Sequence, residues 1–242
     1  MKISVWSDFV CPFCYIGKRR LEEALNMFPH KDGVTIQFKS FELAPDAAKK
    51  TDKSIHEALA AKYGMSIAQA KAMNQNVGEQ AALAGLTFNF DEMKPANTLD
   101  AHRLAKLAEE KGKEAEVTER LLQAYFTDSL LISDHLVLAE IAGKAGLNKE
   151  EVISFLATDR LTEEVRIDEE EARRIGVQGV PFFVFNDKYA ISGAQPVEAF
   201  TAALQKVWEE ENEKPVLQDL SGDGAPDTVC TDEGCDVPGD RT

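Results

Sequence analysis

The feature that most constrains this chain lies at its N-terminus, where "KISVWS" runs into "DFVCPFCYIGKRRLEEALNMF". Ile3 and Val5 alternate with Ser4 and Trp6, the period-two pattern of a strand. Leu21, Ala24, Leu25 and Phe28 then recur at helical spacing. "VTIQFKSFEL", from Val34, is β-branched and aromatic and reads as a second strand. Strand, helix and strand in this order predict two parallel strands joined by a crossover helix. The pair Cys11 and Cys14 sits where the first strand meets the helix.

From Ser54 to Ala157 the pattern becomes helical, in segments near 54–63, 66–84, 97–111, 114–130, 135–145 and 149–157. Asp134 and Asn148 suit N-caps, and Asn148 followed by Glu151 resembles a capping box. Glycines at 64, 85, 112 and 146 suit helix ends. A further helix, 162 to 175, stops at Gly176. "PFFVF" and "YAIS" around "NDK" then predict a hairpin. Pro196 opens a last helix through Trp208. The expected organisation is an α/β domain from 1–50 and 160–210, a helical insertion over 51–159, and a tail over 211–242.

Charge narrows the function. The net charge of −15 disfavours a nucleic-acid partner, since a phosphate backbone selects a Lys/Arg-rich face. It equally disfavours an anionic membrane surface, and no run reaches the ~18 apolar residues of a membrane span. The N-terminus lacks the apolar core and small-residue cleavage site of a signal peptide, so the expected location is cytoplasmic. From Glu209 onward the chain carries eleven acidic and two basic residues and is rich in Gly, Pro and Asp, the composition of a flexible tail.

In a reducing cytosol a close cysteine pair is more often catalytic, redox-sensing or metal-binding than a staple. Three residues make about one helical turn, so Cys11 and Cys14 can present both sulfurs on one side. Cys11 falls at the helix N-terminus, where unpaired N–H groups favour a thiolate. Pro12 fits the first helical position, and Phe13 adds no charge or donor. Cys11, the more exposed, is expected to attack, and Cys14 to resolve the mixed disulfide. Two buried cysteines acting as small hydrophobes are the plain alternative.

The tail holds a second pair, Cys230 and Cys235, in "CTDEGC". Its acidic neighbours raise thiol pKa values and suit it to passing electrons rather than to first attack. Four cysteines in two pairs could also form a zinc site, but no metal is expected because Cys11 and Cys14 already have a redox setting. His102 and Arg103 read first as ordinary helix residues, and Asp8 as a turn carboxylate that could modulate Cys11.

"SDFVCPFCYIGKRRLEEAL", "NTLDAHRLAKLA" and "GVQGVPFFVFNDKYAISGAQP" together resemble the DsbA-like thioredoxin-fold family, and within it the FrnE-like group, over about residues 2 to 208. The resemblance implies a thioredoxin fold with an inserted helical domain, a cis Pro181 facing Cys11, and Val180 offering backbone groups to a bound peptide. It implies a disulfide oxidoreductase or isomerase acting on protein or peptide thiols and disulfides. The tail pair is implied to exchange with Cys11 and Cys14, and a small thiol or thioredoxin-type reductant would reset the centre. No cofactor is expected, because thiol exchange needs none. The rivals are a redox-sensitive adaptor and a glutathione-dependent isomerase; relatives of the latter kind characteristically lack the intact pair.

Overall fold

The structure is a computed structural model that describes residues 1–212 and, beyond them, the backbone of two short strands, Cys230–Thr231 and Gly234–Cys235. The first compact unit spans Met1–Glu211 and the second Asn212–Thr242. In the first, β1 (Lys2–Ser7), α1 (Pro12–Met27) and β2 (Thr35–Ser40) form the predicted strand–helix–strand unit. Six helices follow: α2 (Ile55–Tyr63), α3 (Ile67–Leu83), α4 (Leu99–Glu110), α5 (Glu114–Phe126), α6 (His135–Lys144) and α7 (Lys149–Leu156). The chain returns through α8 (Thr162–Arg174), the hairpin β3 (Phe182–Phe185) and β4 (Tyr189–Ser192), and α9 (Val197–Asn212).

The sheet order is β2-β1-β3-β4. β1 pairs in parallel with β2, Ile3 opposite Ile36, and antiparallel with β3, Val5 opposite Phe183. A mixed four-stranded sheet of this order flanked by α1, α8 and α9 is the thioredoxin fold that the resemblance implied.

β1 departs from its expected in–out alternation: Ile3, Ser4, Val5 and Trp6 are all buried. The reason is its central place, with both faces covered. Ile3 and Val5 pack with Leu21 and Ala24 of α1, Phe183 and Phe185 of β3, and Phe200 and Leu204 of α9. On the other face Trp6 packs with Ala172 and Val177, and its indole N–H donates to the Asp168 carbonyl at 3.0 Å.

A second core fills the helical region and includes Phe9, Tyr15 and Ile16 beside Leu104, Leu121 and Phe126. The helices therefore pack against the cysteine end of α1. Two starts are full capping boxes, Ser54 with Glu57 and Ser66 with Gln69. Asp134 and Asn148 cap as expected, each accepting a backbone N–H at 2.9 Å.

Two boundaries differ from expectation. α5 stops at Phe126 rather than 130 because Thr127 and Ser129 turn away and donate their hydroxyls to the carbonyls of Thr87 and Asn89. α9 continues past Trp208 to Asn212, since its acidic end binds the hairpin. Lys188 reaches Glu210 at 2.6 Å and Asn186 reaches Glu211 at 2.7 Å. In the second unit β5 (Cys230–Thr231) and β6 (Gly234–Cys235) pair antiparallel with Cys230 opposite Cys235. The expected flexibility of the tail and the side chains of this pair lie outside the described residues.

Candidate active site

Cys11 is the N-cap of α1, with extended backbone (φ −90°, ψ 112°) and Pro12 at the first helical position. The Cys14 N–H donates to the Cys11 carbonyl at 3.0 Å, and the Cys11 N–H to the Asp8 carbonyl at 3.1 Å. Both cysteines are free thiols. Cys11 is only slightly more exposed than Cys14, 5 % against 3 %, so the expected contrast in exposure is small.

The cover over Cys11 comes from the far end of the sequence. The Val180–Pro181 bond is cis, as the resemblance implied. The Cys11 thiol donates to the Val180 carbonyl at 3.5 Å. Pro181 in turn accepts the Gly193 N–H at 2.8 Å. α1 can approach this loop because residue 17 is glycine: a Cβ there would lie 3.1 Å from both Pro181 Cγ and Phe183 Cζ. Pro12 is half-buried, whereas Phe13 and Leu43 are exposed.

Cys14 is held more deeply. The Asp8 N–H donates to its Sγ at 3.4 Å. Burial pushes its thiol well above the ordinary range and the neighbouring Cys11 adds to this; hydrogen bonds from the Asp8 backbone and the Ser7 side chain oppose it.

Asp8 is fully buried. One carboxylate oxygen accepts the Leu43 N–H at 2.8 Å and the other lies 3.3 Å from His102 Nε2. His102, also buried, sits 4.8 Å ring to ring from Phe9. This Asp8–His102 pair joins residues that the sequence reading kept apart. The sequence shows the two separately, Asp8 as a turn carboxylate beside the cysteine motif and His102 within "NTLDAHRLAKLA", and nothing in it pairs them. Arg103 turns inward too and binds Asp100 at 2.7 Å, so it belongs to the helix packing.

The other histidines are engaged elsewhere: His30 stacks on Trp208, His56 contacts Asn74 and Asp91, and His135 contacts Asp100. Among the described residues no group of three or more His, Cys, Asp or Glu side chains is placed to hold a metal ion. No helix among them is long and apolar enough to cross a membrane.

Comparison with known proteins agrees with this geometry. Residues 2–205 match the family described as DSBA-like thioredoxin domain. A solved probable DsbA oxidoreductase from Streptomyces coelicolor is 41% identical, with a TM-score of 0.83, over 99% of this chain and 100% of that one. The uncharacterized protein YwbO of Bacillus subtilis is 30% identical over 207 residues, 84% of this chain and 94% of its own. A solved 2-hydroxychromene-2-carboxylate isomerase shares the fold at 18% identity and a TM-score of 0.66, over 87% of this chain and 98% of that one. A strand–cysteine-pair–helix unit closed by a cis-proline loop, matched along nearly its whole length, makes this chain a member of the DsbA-like thioredoxin family.

Proposed function

We propose that the protein is a thiol–disulfide oxidoreductase or isomerase of the FrnE-like kind in which Cys11 exchanges with substrate sulfur and Cys14 resolves the mixed disulfide. The observation that carries this reading is the placement of the Cys11 thiol against the Val180 carbonyl, with Cys14 one helical turn behind it. A peptide laid along Val180 and Pro181 would bring its own sulfur to Cys11, and the exposed Phe13 would meet its flanking side chains. Protein and peptide thiols or disulfides are therefore the substrates we assign, and a reducing compartment such as the cytosol the setting. A small thiol or a thioredoxin-type reductant would return the pair to the dithiol.

We assign Cys230 and Cys235 an accessory redox role. Directly opposite residues in an antiparallel pair have Cα atoms about 4.5–5.5 Å apart, within the range a disulfide spans.

Insulin reduction with dithiothreitol, run beside refolding of scrambled ribonuclease, tests the reading. Wild type is expected to be active, Cys11→Ser inert, and Cys230→Ser/Cys235→Ser partly active. A Cys11→Ser variant as active as wild type in these assays would sink the proposal; one that is inert in them yet keeps full biological activity would favour the adaptor reading.

A further inference from the structure

A peptide bound at this site takes its place from the backbone of Val180 and Pro181. An error of about 1 Å in that placement can slow its chemistry ~100-fold. Something must therefore fix the height of the loop over Cys11. On one side the Val180 side chain packs with Trp6, Ala172 and Val177. On the other the Pro181 carbonyl accepts the Gly193 N–H at 2.8 Å, so the loop takes its position from the turn that follows β4.

That turn, residues 193–195, is tight. Gly193 has a φ of 78°, and the Gln195 N–H donates back to the Gly193 carbonyl at 2.9 Å. The Gln195 side chain donates to the Ser192 carbonyl, also at 2.9 Å. These bonds shape the turn within itself. Its attachments to the rest of the fold are the Ala194 side chain, which packs against the helical core, and one face of α1. A Cβ on Gly17 would lie 3.5 Å from Ala194 Cα. Three residues on, along the same face of α1, Arg20 Nη1 donates to the Ala194 carbonyl.

The plain reading of Arg20 is a solvated surface charge. Its setting speaks against that. The chain holds 42 acidic residues, and the adjacent Arg19 is paired with both Glu22 and Glu119. Arg20 is half-buried and, among the described residues, has no carboxylate partner; its guanidinium is spent on a backbone carbonyl. A charged donor on a neutral carbonyl is a tie between two segments rather than a balance of charge.

We infer that Arg20 is a positioning residue for exchange with peptides: by holding the Ala194 carbonyl it fixes the 193–195 turn, whose Gly193 N–H holds Pro181 and so sets Val180 over Cys11. The inference rests on the oxidoreductase reading above. It divides substrates into two classes. A peptide or protein disulfide must align along Val180 and Pro181, and so depends on Arg20. A small disulfide without a peptide backbone reaches Cys11 without that alignment, and so does not.

Two disulfides test this on the reduced full-length protein. One is 5,5′-dithiobis(2-nitrobenzoate), whose first phase of thionitrobenzoate release reports attack by Cys11. The other is a pair of dye-labelled, mutually quenched peptides joined through their cysteines, reduced in single turnover with the protein in excess. The dependence on protein concentration gives a maximal rate and a half-saturation concentration. In Arg20→Met the half-saturation concentration for the peptide is expected to rise about tenfold, the size of one hydrogen bond from a charged donor. Its maximal rate should change less than about threefold, and the thionitrobenzoate phase should stay within about twofold of wild type. Arg20→Gln, whose side chain stops short of the turn, should match Arg20→Met and carries the test if that variant folds poorly. Arg20→Lys, which keeps a long cationic donor, should recover most of the loss. Arg173→Met, which removes an exposed arginine of α8, should match wild type. The defect should persist in about 1 M salt, where exposed charges are screened beyond ~3 Å. A defect that vanishes in salt makes Arg20 a charge that attracts the peptide. Equal slowing of both disulfides, or no slowing of either, leaves it no part in peptide alignment. Each of these results overturns the inference and leaves the oxidoreductase reading standing. A wild type that reduces neither disulfide overturns both.

Discussion

The surroundings of Cys14, rather than its identity, predict slow chemistry at its thiol. Burial and the adjacent Cys11 raise its pKa, so at neutral pH it is almost wholly protonated. Single-thiol variants make this measurable. Cys14 in Cys11→Ser is expected to react with iodoacetamide at least about tenfold more slowly at neutral pH than Cys11 in Cys14→Ser, and to quicken as pH rises. Equal alkylation rates would contradict the burial argument. Gly17 is the second residue on which the site depends. In Gly17→Ala the added methyl would meet the ring of Pro181 and the fully buried Phe183 at 3.1 Å. The gain in helix propensity is about 1 kcal/mol, whereas crowding of a packed core costs about 1–3 kcal/mol. Neither ring can swing away, so urea unfolding should show a net loss of about 1 kcal/mol, together with slower insulin reduction.

At the scale of elements, the helices carry their own start signals. Ser54→Ala and Ser66→Ala each remove a reciprocal capping box and should each lower stability by about 1 kcal/mol, with additive effects because the caps are separate. Chemical denaturation of both single variants and the double variant checks this. These local signals also explain what the sequence discloses. Asp134, Asn148 and the glycine after α2 act on their own neighbours, so helix positions are readable without knowing the fold. The placement of Cys11 and Cys14 at the start of α1 and the cis Pro181 are readable because each attaches to a short motif. The end of α5 is not, since it depends on the carbonyls of Thr87 and Asn89. The double-sided burial of β1 is likewise invisible, because alternation cannot reveal how many faces of a strand are covered. Asp8 and His102 are separated by 94 positions, and only the docking of α4 on the start of α1 brings them together.

At the scale of the described molecule, the ion-pair seam between α1 and α5 responds to acid. Glu119 of α5 accepts from Tyr15 at 2.6 Å and binds Lys18 and Arg19, all on α1. Burial pushes its carboxyl up, but Arg19, Lys18 and Tyr15 overcome this and hold it at about 2 against an ordinary 4.5. Between those values the unfolded chain binds more protons, so this contribution is full above about pH 4.5 and is lost as pH falls towards 2. Its size is of order 1–3 kcal/mol. Glu114, at the start of that helix, has the opposite sign. Burial and nearby Glu109 raise its carboxyl to about 7, against Lys106, so its ionisation costs stability as pH rises from 4.5 through 7. Thermal unfolding across this range should show Glu119→Gln flattening the acid limb and Glu114→Gln flattening the decline towards neutral pH. A variant curve parallel to wild type at either end would contradict the corresponding assignment.

The pairing of Cys11 with a carbonyl so far along the chain has a consequence during synthesis. A ribosome adding about 5–20 residues per second makes the thiols roughly 10–30 s before it makes Val180 and Pro181. Through that interval β1 lacks its β3 neighbour and the pair has no lid. The nascent chain then carries a bare dithiol, and the carbonyl that covers Cys11 arrives only when its last quarter is made.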